Sequence, residues 1–162
     1  MFKKTLLAAV LVTVSIGAFA QSPAPAPAST QSAPALTPEQ KAQLEKQDAE
    51  MAQASLRIAQ MIDQGQTGNV WDQSSSIAKQ TANRADFIQQ ISADRAKLGA
   101  PSTRKLVAVT RTQSTGGKVP AGLYINASYA TQFAHAKQPV RELISFHLDS
   151  DHVWRLAGYT VR

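Results

Sequence analysis

The chain has 162 residues, 43% hydrophobic and 17% charged, with a formal net charge of +6 and no Cys. The length suits one domain and the composition a modest globular core with a low-charge tail. The absence of Cys excludes disulfides, thiolate metal sites and a thiol nucleophile. The charge is uneven: Glu39 to Asp94 holds five Lys/Arg against eight Asp/Glu, and Arg95 to Arg162 holds ten against three. A basic surface attracts anions, but a solvated sheet facing acidic helices accounts for the same asymmetry.

Met1 to Ala20 reads as a secretory signal peptide. Lys3 and Lys4 form the positive region, Thr5 to Ile16 the apolar run, and Ala18-Phe19-Ala20 the cleavage site. The expected product starts at Gln21 and is exported to the periplasm or secreted. It has no lipid-bearing Cys after the site and no later run long and apolar enough to cross a bilayer, so no membrane anchor is expected. Gln21 to Leu36 is dominated by Pro, Ala, Ser and Thr and reads as a polyproline-leaning linker. A single domain is expected from Thr37 to Arg162.

Thr37-Pro38-Glu39-Gln40 has the pattern of a capping box with Pro in the first turn, opening a helix to about Asp63. Its apolar stripe is Leu44, Met51, Ala54, Ile58, Met61 and Ile62. Gln64 to Asn69 breaks that helix, and Val70-Trp71-Asp72 begins a short helix or turn reaching about Gln80. Trp71 is expected to anchor the break against the sheet, and Asp72 to cap the short helix. Thr81 is the expected cap of a helix from Ala82 to Leu98, with Ala85, Ile88, Ile91 and Leu98 along one side and Phe87 flanking. Gly99 fits a left-handed stop, Pro101 bars continuation, and Arg95 and Lys97 complement the helix dipole.

Beyond Pro101 the hydrophobic period falls to two. Strands are expected over Arg104–Thr112, Gly122–Phe133, Val140–Leu148 and His152–Arg162, joined by short connections. Helices followed by such a meander define an α+β domain, with N-terminal helices packed on one face of a curved four-stranded antiparallel sheet. The last run, Val153-Trp154-Arg155-Leu156-Ala157-Gly158-Tyr159-Thr160-Val161-Arg162, ends the chain and stays ordered only if tied into the sheet, so it is expected as a central strand. Strict alternation gives it apolar groups on both faces.

Gly65, Val70-Trp71-Asp72, Phe87, Arg95, Leu98-Gly99, Arg104-Lys105-Leu106, Gly122-x-Tyr124, Glu142 and the run Val153 to Tyr159 together resemble the exported bacterial family catalogued as domain of unknown function 4019. The similarity covers roughly Leu56 to Arg162. The name implies no activity. The element order also looks like the nuclear-transport-factor-2-like or cystatin-like cone, an architecture that hosts both enzymes and binding modules.

Few residues offer chemistry. His135, His147 and His152 fall on a loop, a strand and a turn without ligand spacing, so no metal site is expected. No phosphate loop, serine elbow or paired-carboxylate motif is present, and no cofactor is expected. The enzyme alternative takes Asp72 as a base at a pocket mouth, His147 beside Ser145 as a second proton carrier, and Tyr124 or Tyr159 as an oxyanion donor. The favoured expectation is a non-catalytic binding or protein-interaction module of the cell envelope. Its partners would be an unknown ligand, an envelope protein, or a second copy through the sheet's second apolar face. Its anion-binding rim would be Arg104, Lys105, Arg111, Arg141, Arg155 and Arg162, with Tyr159 alongside. Export and the absence of a stacking motif argue against nucleic acid.

Overall fold

The computed structural model describes residues 35–162; the expected signal peptide and almost all of the Pro/Ala-rich stretch lie outside the described residues. Helix α1 runs Pro38–Asp63, α2 Thr67–Asp72, α3 Ser76–Thr81 and α4 Arg84–Leu98. Strands β1 Pro101–Ser114, β2 Gly122–Phe133, β3 Val140–Leu148 and β4 Trp154–Val161 follow. The architecture is α+β, helices first and then an antiparallel sheet in the order β1-β2-β3-β4. β4 is thus an edge strand, not the expected central one: each strand in a meander pairs with its sequence neighbours, which leaves the last outermost.

Local chemistry explains the helix boundaries. The Thr37 hydroxyl accepts from the Gln40 N–H, and the Gln40 side chain accepts from the Thr37 N–H, completing the capping box. The break after α1 is split into α2 and α3, and α4 is capped by Asn83 rather than Thr81. Gly99 ends α4 at a positive φ of 75°. Trp71 contacts the helical connection: its indole N–H donates to Ala82 O, and Lys79 lies over its ring.

The core lies between one face of the sheet and the helices. Met51, Ala59 and Ile62 of α1, Val70 of α2 and Ile91 of α4 pack on Ile125, Ala127, Tyr129, Ile144, Phe146, Leu156 and Tyr159. On α4 only Ile91 is buried; Ala85 is exposed and Ile88 and Leu98 are half-buried, so the expected stripe overstates that helix's apolar contact.

The decisive irregularity is in β4. Ser145 pairs with Gly158 but Phe146 pairs with Leu156, so Ala157 is an extra residue. A bulge of this kind reverses side-chain parity beyond it. Trp154 and Leu156 before the bulge and Tyr159 and Val161 after it all join the core. β4 therefore has no second apolar face, and the sheet-face dimer loses the argument made for it. The opposite face carries Thr110, Thr112, Asn126, Ser128, Ser145, Gly158 and Thr160 in adjacent rows of the register. The free edge of β4 is partly covered, since the Ser75 N–H donates to Leu156 O.

Candidate functional site

Two polar clusters and one hollow are the places where chemistry or binding could be organised. The first cluster lies on the core face. Glu142 is on β3 at the same parity as Ile144 and Phe146 and is fully buried. A carboxylate there must be compensated. Arg104 Nε and Nη2 donate to its two oxygens at 2.5 and 3.1 Å. The Tyr159 hydroxyl donates at 2.6 Å and the Thr131 hydroxyl at 2.7 Å. Arg104 also forks onto the Asp63 carboxylate at 3.0 and 3.2 Å. Arg95 pairs with Asp63, stands 3.6 Å from Glu142 and lies over the Phe133 ring.

Two acids and two guanidinium groups thus close on one another. Burial pushes the Glu142 carboxyl up, but the hydrogen bonds from Arg104, Tyr159 and Thr131 outweigh it and hold the group below its ordinary value. Burial and the adjacent carboxylate push the Tyr159 hydroxyl well up. Every polar group here serves another within the cluster, which gives a clasp between α1, α4 and the sheet with no spare proton carrier. Arg104 and Tyr159 therefore belong to the interior and not to the surface rim expected of them. The Arg104 side chain is only 9% exposed.

The second cluster lies at the β3–β4 turn. Asp149 Oδ1 accepts from the Ser75 hydroxyl at 2.5 Å and faces His147 Nδ1 at 2.8 Å. Arg155 donates to Asp149 Oδ2 at 3.2 Å and forks onto Asp151 at 2.8 and 2.7 Å. The fork holds Asp151 down to about 2. His147 is 8% exposed and packs edge-on against Tyr124, with ring centroids 5.0 Å apart. Its other side meets Gly122, where an added Cβ would collide with Nε2. A hydrolytic triad needs serine on the histidine and histidine on the acid. Here Ser75 and His147 both bond the acid, so Ser75 is not activated.

Asp72, the other expected proton carrier, is ion-paired to Arg84 with 2.9 and 3.2 Å contacts, which lower its pKa, and it caps nothing. It lies at the exposed end of α2, and its distance to His147 is not bridged by any shared partner. The Tyr124 hydroxyl donates to Pro120 O at 2.8 Å, and that of Tyr159 donates to Glu142, so neither is free for an oxyanion.

Of the expected basic rim, Arg155 is paired with Asp149 and Asp151, and Arg111 reaches Asp48 and Gln47 of α1. Lys105 and Arg141 remain exposed on the outer face, both level with Ala130 of β2, and Arg162 exchanges backbone hydrogen bonds with Arg141. Among the described residues, no three His, Asp or Glu side chains gather as metal ligands. Nor is any described helix long and apolar enough to cross a membrane.

The hollow is on the outer face. It encloses about 600 Å³ between the β1–β2 loop, α3 and the sheet. Ile77 and Thr81 of α3 form one wall, and Thr112 to Gly116 with Lys118 to Pro120 another. Tyr124, Asn126, Ser145 and Gly158 form the floor. Lys118 is its only charged lining residue, and neither Asp72 nor His147 lines it. A Cβ added at Gly158 would meet nothing within 4 Å, so the bare backbone there leaves open space in the floor.

Fold and clusters define an α+β domain whose two polar clusters are paired within themselves and whose outer-face hollow is lined mostly by hydroxyl, amide and apolar groups. The chain belongs to the family described as "Protein of unknown function (DUF4019)", which it matches over residues 54–159. No curated protein and no solved structure gives a significant match.

The residues that carry the resemblance now have structural roles. Arg95, Arg104, Glu142 and Tyr159 build the buried clasp, and Gly122 and Tyr124 seat the His147 ring. Asp63, Thr131, Ser75, Asp149 and Asp151 were missed from sequence. One readable signal existed: Glu142 alternates with Ile144 and Phe146, and an acid on a buried strand face demands cationic partners.

Proposed function

We propose that this protein is a non-catalytic binding module of the bacterial cell envelope, exported through the Met1–Ala20 signal peptide, that seats a small ligand in the outer-face hollow. The observation that carries the reading is the contrast between that hollow and the two clusters. Acids and bases able to do chemistry are engaged with each other, whereas the concavity offers mostly uncharged hydrogen-bonding groups. Its volume of about 600 Å³ falls in the range of small-ligand sites. The helices-then-meander order supports a cone-like architecture of the nuclear-transport-factor-2-like or cystatin-like kind, which frames binding sites without selecting a chemistry. The alternative, an enzyme using Asp72 and His147, has in its favour only the contact that orients His147 on Asp149.

Native mass spectrometry of the chain purified gently from its host tests the reading. A bound small-molecule mass is expected on the unaltered chain and is expected to be absent from a folded Gly158→Leu variant, whose side chain fills the floor. A bare unaltered chain, or retention by the variant of every mass the unaltered chain carries, contradicts it.

A further inference from the structure

A second cavity lies on the opposite, helix-bearing side of the sheet. Between α1 and the start of β4 the packing leaves about 370 Å³. Ile58 and Met61 of α1, Val70 of α2, Phe146 of β3, and Trp154 and Leu156 of β4 supply its apolar walls.

Arg57, Gln73 and Arg155 border the cavity. Arg155 is neutralised by Asp149 and Asp151. Arg57 is exposed and has no ion-pair or hydrogen-bond partner among the described residues. A half-open apolar cleft beside a solvent-exposed, unpaired guanidinium suits an amphipathic anion, of which an acyl chain ending in a carboxylate is the simplest.

We infer that this cleft binds a single medium-chain fatty acid, its chain against Trp154 and its carboxylate at Arg57. The wall from Ala54 to Met61 spans about 10 Å at the rise of an α-helix, on the order of a ten-carbon chain. This site is separate from the outer-face hollow, and either assignment can fail without the other.

The probe is decanoate, with decanol as its uncharged counterpart. Trp71→Phe leaves Trp154 as the only tryptophan, so its fluorescence reports the cleft directly. A saturable blue shift with decanoate is expected, and affinity should rise about fourfold per methylene from octanoate to decanoate. Arg57→Gln should weaken decanoate by about tenfold and leave decanol unchanged. Ala54→Phe, which fills the cleft from α1, should remove both. Calorimetric titration of the unaltered chain with decanoate provides a reading that does not depend on the Trp71 change, with one site per chain expected. No saturable binding by calorimetry, affinity independent of chain length, decanoate binding indifferent to Arg57→Gln, or binding retained in Ala54→Phe would each overturn the inference.

Discussion

The two polar clusters use the same kinds of residue and differ in burial. Around Glu142, two acids, two arginines, a tyrosine and a threonine are packed beneath the helices, and the carboxylate at the centre has no exposure to water. Around Asp149, the buried Ser75 and His147 face one carboxylate oxygen, while on the other side Arg155 is 33% and Asp151 54% exposed. In the first, removing a single member strands a charge out of water. In the second, water can replace what is lost on the Arg155–Asp151 side. Similar chemistry is therefore a clasp in one place and a modest turn brace in the other.

The largest expected effect breaks the clasp. Glu142→Gln leaves Arg104 and Arg95 short of a charge partner and should cost about 3–5 kcal/mol in denaturant unfolding. A cost below about 1 kcal/mol would mean that the network is not a stabilising unit. Tyr159→Phe removes one hydrogen bond to that carboxylate and should cost about 1.5–3 kcal/mol. Asp149→Asn keeps the shape of the turn but weakens the bonds from Ser75 and His147, and should cost about 1–2 kcal/mol. At the small end, Arg84→Gln separates an exposed pair and should leave the unfolding midpoint unchanged.

The same comparison sets the pH response. Glu142 and Asp149 have folded pKa values below their unfolded ones. Their stabilisation is present above about pH 4 and is lost as pH falls through the folded values. Tyr159 is shifted the other way. Its contribution is complete below about pH 10 and is lost progressively above it, as the unfolded chain ionises first. Unfolding midpoints measured from pH 3 to 11 should fall at both ends, and Tyr159→Phe should flatten the alkaline limb and, by removing one hydrogen bond from Glu142, make the acid limb shallower as well.

Much of the fold was legible because its period is unbroken. β2 and β3 occupy the residues expected of them, Gly122–Phe133 and Val140–Leu148. The capping box that starts α1 needed only local residues. What was not legible depended on a single inserted residue or on distant partners. Ala157 looks like any strand residue, yet its bulge moves Tyr159 into the core and removes the apolar second face. Arg104 reads as a surface cation until the fold brings it to Asp63, 41 residues away, and Glu142, 38 residues away. The family was recognisable for the same reason that its function was not: several of the matching residues hold the scaffold together. The outer-face hollow left almost no trace in sequence beyond Gly158, a glycine in a strand where neither crowding nor a positive φ requires one.

The most direct measurement is backbone amide chemical-shift mapping of the chain titrated with the small-molecule fraction of its own host. Perturbations at Thr112–Lys118, Tyr124–Asn126, Ser145 and Ala157–Gly158, distinct from any fatty-acid shifts around Arg57 and Trp154, are the result this account expects, with the Glu142 clasp silent. Perturbations centred on His147, Asp149 and Asp72, with the hollow silent, would contradict it and give acid–base chemistry the stronger claim.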